Sequence, residues 1–355
     1  MKIGNLDIGH KLFLAPMAEV TDGSFRKICK EEGAGITFTQ MVSADGVVKN
    51  NFETLRLLSF SRSEKPLGVQ LLGNDPGILG EATKEISKLK PDIIDLNCGC
   101  SVDKVTSNSM GSALLEDPIA LGKIIRKMSD NSNGVSISVK LRLGKDRNHI
   151  NIFETAKAVE DNGGSLLFLH ARARTDKYDT DPDWSWIGKV KEKINIPLVG
   201  NGSVFTPQDA KRMIDETGCD SVMIARGTLG NPFIFSRFNK LIETGIDPGE
   251  PKVDYVRDVL LKHIKNLEQE FGDILALDKA KKHAAWYFRL YPGIDSFLEK
   301  VFRLRSLESL IELVDEHTHS IINCEFVQYD SEQIFIKFKK KVLFWLSEES
   351  ENALG

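Results

Sequence analysis

The feature that most constrains this chain is a rhythm. Short apolar, β-branched runs recur at residues 13–15, 36–41, 67–72, 93–96, 135–141, 166–170, 197–200 and 221–225, and stretches with helical spacing separate most of them. Strand–helix alternation implies parallel strands joined by right-handed crossovers. The runs are apolar on both faces, as strands covered on two sides must be. Eight such units in about 240 residues match a (β/α)8 TIM barrel. A doubly wound open sheet is the alternative, but it carries a glycine-rich turn after its first strand. Here Pro16-Met17-Ala18-Glu19 follows instead. Asp117-Pro118 and Thr206-Pro207 each place an N-cap residue before a proline, a good helix start.

The rhythm stops near residue 243. Residues 244–252, rich in glycine and proline, read as a linker between a barrel domain at 1–243 and a C-terminal helical domain at 253–355. Tyr255, Val259, Ile264 and Leu267 share one helical stripe, and helical spacing returns near 277–291, 294–303 and 307–317. Residues 335–338 fit strand or helix equally. The 355 residues are 41% apolar and 28% charged, which excludes a disordered chain, a fibre or a disulfide scaffold. With a formal charge of −4, a nucleic-acid partner would need a local basic face. No apolar run approaches the ~20 residues that span a membrane, and residues 1–12 show no secretory pattern. A monomer in the cytoplasm, away from membranes, is the expectation. Cys29, Cys98, Cys100, Cys219 and Cys324 form an odd, sparse set that suits reduced thiols. Cys98-Gly99-Cys100 lacks the spacing and the second ligand pair of a zinc site, so no metal is expected.

In a barrel the chemistry sits at the C-terminal ends of the strands. Those ends carry Pro16 and Met17, Gln70, Asp95 with Asn97, Cys98 and Cys100, Lys140 and Arg142, His170 and Arg172, Asn201 and Gly202, and Arg226 and Gly227. Each polar residue alone has an ordinary structural explanation. Their convergence on one end of otherwise apolar strands points to a ligand that pairs them. Gly200-Asn201-Gly202 and Ala225-Arg226-Gly227 follow the seventh and eighth runs, where barrels bind phosphate. An inward lysine at Lys140 would suit a flavin, whose reduced ring carries negative charge. Cys100 could be a nucleophile or a proton donor, and spacing does not separate it from Cys98.

At these residues the chain resembles the tRNA-dihydrouridine synthase family. The resemblance runs in order from about Leu14 to Phe235. It is carried by Leu14-Ala15-Pro16-Met17-Ala18-Glu19-Val20-Thr21-Asp22, Gln40-Met41-Val42-Ser43-Ala44, Asp95-Leu96-Asn97-Cys98-Gly99-Cys100 and Met110-Gly111-Ser112-Ala113-Leu114-Leu115. It continues through Val139-Lys140-Leu141-Arg142-Leu143-Gly144, His170-Ala171-Arg172-Ala173-Arg174, Gly200-Asn201-Gly202 and Val222-Met223-Ile224-Ala225-Arg226-Gly227-Thr228-Leu229-Gly230-Asn231-Pro232. Lys282-His283 and Trp286-Tyr287 also look like the bacterial B-type branch. The resemblance implies an FMN enzyme that uses NADPH to reduce the C5=C6 bond of a uridine in tRNA. It implies that Pro16, Met17, Gln70, Lys140, His170, Asn201, Gly202, Arg226 and Gly227 hold FMN, and that Asn97 and Arg142 contact the uracil, with Arg172 beside them. It implies hydride transfer from N5 of reduced FMN to C6 and proton transfer from Cys100 to C5, which separates Cys100 from Cys98. A stacked uracil could not reach such a site, so the base must be extruded or unpaired.

The chain departs from the family pattern at three places: Glu19 for a common glycine, Ser101 for a proline, and Ser203 for a common aspartate. For the RNA, Lys279, Lys281, Lys282, His283, Arg289, Lys300, Arg303 and Arg305 are the expected phosphate contacts, with Trp286, Tyr287 and Tyr291 available to stack on bases. The basic run 337–341 reads as a solvated face. Two other readings stand beside the first. One is a flavin barrel acting on a free pyrimidine or a synthase acting on another RNA. The other is a non-catalytic RNA-binding protein that keeps the fold.

Overall fold

The computed structural model describes residues 1–4 and 6–322. Cys324 and the runs at 335–338 and 337–341 lie outside the described residues. The eight expected runs form eight parallel strands: β1 (Phe13–Leu14), β2 (Thr37–Phe38), β3 (Leu67–Leu72), β4 (Ile93–Cys98), β5 (Ser136–Arg142), β6 (Leu166–His170), β7 (Leu198–Asn201) and β8 (Ser221–Ile224). Each pairs with its sequence neighbour from β2 through β8, and β8 pairs with β1. A parallel bridge between Phe13 and Ile36, with Leu14 N donating to Ile36 O at 2.9 Å, closes the ring. The fold is therefore a TIM barrel with helices outside.

Those helices are α1 (Gly23–Glu31), α2 (Ala44–Val48), α3 (Pro76–Ser87), α4 (Pro118–Asp130), α5 (Ile152–Asp161), α6 (Ser185–Lys191), α7 (Pro207–Thr217) and α8 (Ile234–Thr244). Their starts follow the capping chemistry visible in the sequence. Asp117 accepts from Ile119 N and Ala120 N, and Thr206 forms a reciprocal capping box with Asp209. Inside the barrel, Phe168 meets Phe13 and Phe38 edge-on at 5.3 and 5.4 Å between ring centres. This fills the lower half, so the open end is the one where the polar residues gather. An amino-terminal hairpin (Lys2–Ile3 against Leu6–Asp7) adds Ile3 and Ile8 to that inner core. The sequence rhythm contained no sign of it.

Among the described residues, four helices follow the barrel: α9 (Val253–Phe271), α10 (Asp273–Phe288), α11 (Ile294–Val301) and α12 (Leu307–Ile321). Their apolar core includes Ile28 of α1 and Phe233 from the start of α8. Trp286 of α10 in turn belongs to the barrel's core. Gly230 makes this close approach possible: its φ is +60°, and a Cβ there would sit 2.2 Å from the carbonyl carbon of Trp286. Glu270 of α9 accepts from Gly23 N (3.0 Å), Ser24 N (2.6 Å) and Ser24 Oγ (2.6 Å) at the N-terminus of α1. The expected linker is pinned rather than loose, because Arg237 pairs with both Asp247 and Glu250. Among the described residues, no helix is long and apolar enough to cross a membrane.

Candidate active site

The strand ends bring their polar residues together at the barrel mouth. Gln70 at the middle of β3, Asp95 and Asn97 on β4, and Ser138 and Lys140 on β5 all face inward, as two-residue alternation requires. Ser138 Oγ donates to Asp95 Oδ1 at 2.6 Å, and Gln70 Nε2 donates to Asp95 Oδ2 at 2.7 Å. Asn97 Nδ2 donates to Gln70 Oε1 at 2.8 Å. Asn97 Oδ1 then accepts from Gly99 N at 3.1 Å and Cys100 N at 2.9 Å. This turn breaks the extended geometry after Cys98 and resolves the two cysteines. Cys98 packs, fully buried, in the apolar layer between strands and helices. Cys100 stays in the loop, 5% exposed, with its carbonyl held by Ser112 N at 2.9 Å and Ser112 Oγ at 2.8 Å. Burial pushes the Cys100 thiol above its ordinary value, so it is a protonated group at neutral pH.

Lys140 is buried, and its Nζ has no hydrogen-bond partner among the described residues. Burial first, and the neighbouring Arg142 second, bring its ammonium down to about 8. Burial raises the Asp95 carboxyl to about 6. His170 is the second unsatisfied group. Its Nε2 lies 3.1 Å from Arg172 Nη1, which can only donate, so the neutral ring carries its proton on Nδ1. That Nδ1 has no partner among the described residues, and burial with four nearby cations holds the ring neutral.

Three guanidiniums converge beside it. Arg142 donates through Nε to Gly99 O at 2.8 Å and through Nη1 to Ala173 O at 3.0 Å. Arg172 donates to Thr180 O at 2.7 Å and Ser203 Oγ at 2.9 Å. Arg226, Arg142 and Arg172 lie 4.7, 5.9 and 6.0 Å from the centre of the Tyr178 ring. Burial and mutual repulsion lower Arg172 to about 10, and burial lowers Arg226 to about 10. Together with Lys140 they make four buried cations, and the buried carboxylate among them is Asp95. Such a cluster can hold an anionic ligand. A small cavity of about 20 Å³ opens among Arg172, Tyr178, Asn201, Gly202, Arg226 and Gly227. Gly202, at φ +132°, passes close to His170 and Pro182 there. Asn201 spends its amide on Met223 O at 2.8 Å, tying β7 to β8. Pro16 and Met17 are buried after β1, and Met17 N donates to Thr21 Oγ1 at 2.9 Å.

The family profile described as "Dihydrouridine synthase (Dus)" matches residues 13–324. The chain belongs to the dihydrouridine synthase family. It is 32% identical over 309 residues to tRNA-dihydrouridine synthase B of Pseudomonas aeruginosa, covering 87% of this chain and 93% of that one. It is 35% identical over 289 residues to the synthase B of Pasteurella multocida, covering 81% and 87%. The resemblance read from the motifs, including its B-type character, is thus borne out, and the chain is an oxidoreductase of this family. Among solved structures, histamine dehydrogenase from Rhizobium sp. 4-9 superposes with a TM-score of 0.53 at 13% identity, over 94% of this chain and 66% of that one. The old yellow enzyme homologue from Zymomonas mobilis gives 0.50 at 12% identity, over 72% and 94%. At these identities the likeness speaks for the barrel alone.

Several expected RNA contacts of this family member need correction. Trp286, Tyr287 and Tyr291 are buried, at 1%, 2% and 7% exposure, so they pack between the barrel and the helices and cannot stack on bases. Arg289 is buried and donates to Trp286 O at 3.1 Å. Lys281 is buried, with Asp278 at 4.0 Å. Lys279 bridges to Asp22 at 3.3 Å and Glu19 at 3.8 Å, so it ties α10 to the turn after β1. Lys282 is half-buried, and Lys300, Arg303 and Arg305 are exposed. The reason is geometric: the second half of α10, from Ala280 to Phe288, is buried on nearly every side because it is wedged against two cores, which encloses its polar residues with its apolar ones. Sequence reasoning missed Tyr178. It stands in the loop after β6, where no periodicity marks a functional side chain.

Proposed function

We propose that this chain reduces uridine to 5,6-dihydrouridine in tRNA, with FMN as bound cofactor and NADPH as reductant. The observation that carries the reading is the pairing of an unpartnered, buried Lys140 Nζ with the buried thiol of Cys100 at one barrel mouth, in a chain of this family. The residues present fit a phosphorylated flavin. Lys140 and the His170 Nδ1–H are buried donors that await acceptors. Arg226, Gly227, Asn201 and Gly202 line a small cavity with a cation and flexible backbone for the phosphate, and Pro16 and Met17, after the strand that pairs with β8, and Gln70, on β3, continue the mouth from there. When bound, the flavin supplies a hydride to C6 of the uracil. Lys140 places positive charge where the reduced ring gathers negative charge. Arg142 and Asn97 orient the base, and Arg172 supports them through its contacts with Tyr178 and Ser203. Cys100 holds a proton on Sγ and delivers it to C5. Burial, which disfavours the thiolate, keeps that proton available at neutral pH. A tRNA substrate also suits a protein with free thiols acting in the cytoplasm.

The test is a visible spectrum of the purified protein, followed by anaerobic NADPH and then unmodified tRNA. A flavin band bleached by NADPH and restored by tRNA, with dihydrouridine formed, supports the reading. A flavin that tRNA fails to reoxidise redirects the search to other RNAs and free pyrimidines. A protein that neither carries nor takes up FMN overturns it.

A further inference from the structure

Asp95 has no part in the roles assigned so far, yet it anchors the polar chain of the mouth. A carboxylate only accepts, and backbone N–H groups only donate. These two facts fix every amide between them. Asp95 accepts at both oxygens, so Gln70 must turn Nε2 toward it at 2.7 Å and leave Oε1 free. Asn97 must then give Nδ2 to that oxygen at 2.8 Å. This leaves Asn97 Oδ1 to receive Gly99 N and Cys100 N at 3.1 and 2.9 Å. Read from the cysteine end, the donors demand the same order. The second oxygen of Asp95 is closed by Ser138 Oγ at 2.6 Å, so neither end of the chain can turn over alone.

We propose that Asp95 is a positioning residue that sets the polarity of the Gln70–Asn97 amide chain and thereby seats the loop carrying Cys100. Its weight in the reaction rests on the reading of Cys100 as proton donor; its hold on the loop does not. Asp95 touches neither the thiol nor the mouth's cavity and acts only through two amides.

The hold is measured on the protein as purified, by the rate at which iodoacetamide alkylates Cys100, read by peptide mass spectrometry. Cys219, a buried thiol elsewhere in the barrel wall, reports global opening in the same sample. Asp95→Leu leaves Gln70 without its acceptor. It should raise the Cys100 rate about tenfold, the factor expected when a charge-assisted bond is lost from a local opening equilibrium, with Cys219 unchanged. Asp95→Asn keeps an acceptor oxygen for Gln70 and should stay within about threefold of wild type. If Asp95→Leu does not fold, Gln70→Met breaks the chain one link later and carries the same expectation. A wild-type rate in the Leu or Met variant, a parallel rise at Cys219, or an Asn variant as reactive as Leu would each overturn the proposal. Dihydrouridine formation is assayed in the same variants and in the Cys100→Ala background. The Asp95→Leu loss should vanish once Cys100 is absent, whereas an independent structural loss would persist. A wild-type protein inert toward tRNA would sink the functional reading while the alkylation result still decides the hold.

Discussion

At the scale of single residues, the site is governed by what burial does to charge. Cys98 and Cys100 are two positions apart, yet one packs in the helix layer and the other lies within reach of the Arg142 and Lys140 charges at the mouth. Cys100→Ala should therefore slow product formation by roughly 10²–10⁴-fold, typical for loss of a general acid, while flavin reduction by NADPH continues. Cys98→Ala should cost stability but little chemistry; a larger kinetic loss there would reassign the proton donor. Lys140 supplies a pH prediction. Its ammonium titrates near 8 in the protein as described, below its ordinary value. A bound anionic ring favours the charged form, so affinity for FMN should be level below pH 8 and fall as pH rises through it. Flavin fluorescence titrations at several pH values would show this, and Lys140→Met should flatten the curve. A wild-type curve already flat through pH 9 would remove Lys140 from the flavin.

At the scale of elements, two junctions hold the mouth in shape. The turn after β1 places Glu19 at φ +62°, a left-handed position that costs a non-glycine residue about 1–2 kcal/mol. The departure from the family's glycine is thus a strained one. It is held by Gln40 Oε1, which accepts from Glu19 N at 2.7 Å, and by Lys279, which donates to Glu19 O at 3.3 Å. Glu19→Gly should stabilise the protein by up to about 1 kcal/mol in urea unfolding, because relief of strain exceeds the added freedom of the unfolded chain. A fall in stability would mean that the glutamate side chain does more than the backbone shows. The second junction is Glu270 at the start of α1, where a carboxylate meets unsatisfied N–H groups and the positive end of the helix. Glu270→Ala should lower stability by about 1–2 kcal/mol, and Glu270→Gln by less. Equal midpoints for wild type and Glu270→Ala would show the helices docked by apolar contacts alone.

At the scale of the whole molecule, the helices after the barrel are docked onto it through shared cores, and this decides which cations can meet RNA. Lys281→Glu should destabilise the fold rather than weaken RNA binding selectively, since the side chain is enclosed. Combined Lys300→Glu, Arg303→Glu and Arg305→Glu should instead weaken tRNA binding and flatten its salt dependence, by up to about 0.7–0.9 in slope per lost phosphate contact. Flavin content should be unaffected. An unchanged slope in a gel-shift series across salt concentrations would take that face out of the RNA footprint.

Much was legible before any coordinates. A barrel strand is buried on both sides, so its apolar run is continuous, and each helix must restart with a cap; both leave local marks, as at Thr206-Pro207. Inward polar residues at strand ends are costly enough to stand out, which is why Gln70, Asn97, Lys140 and His170 could be picked from the chain. The amino-terminal hairpin, the pinned linker and Tyr178 left no such marks, because their partners are distant in sequence. Spacing alone could not separate Cys98 from Cys100, since a two-residue offset means the same side only while the chain stays extended. The turn onto Asn97 that ends the extension exists because Asp95 and Gln70, on neighbouring strands, hold that amide in one orientation. Likewise, the basic and aromatic pattern of α10 reads as an exposed binding face until the helix is seen between two cores. Local propensity and hydrophobic period determined the barrel and its strand-end chemistry; which side chains reach solvent, and which cysteine faces the mouth, depended on contacts between segments that only folding brings together.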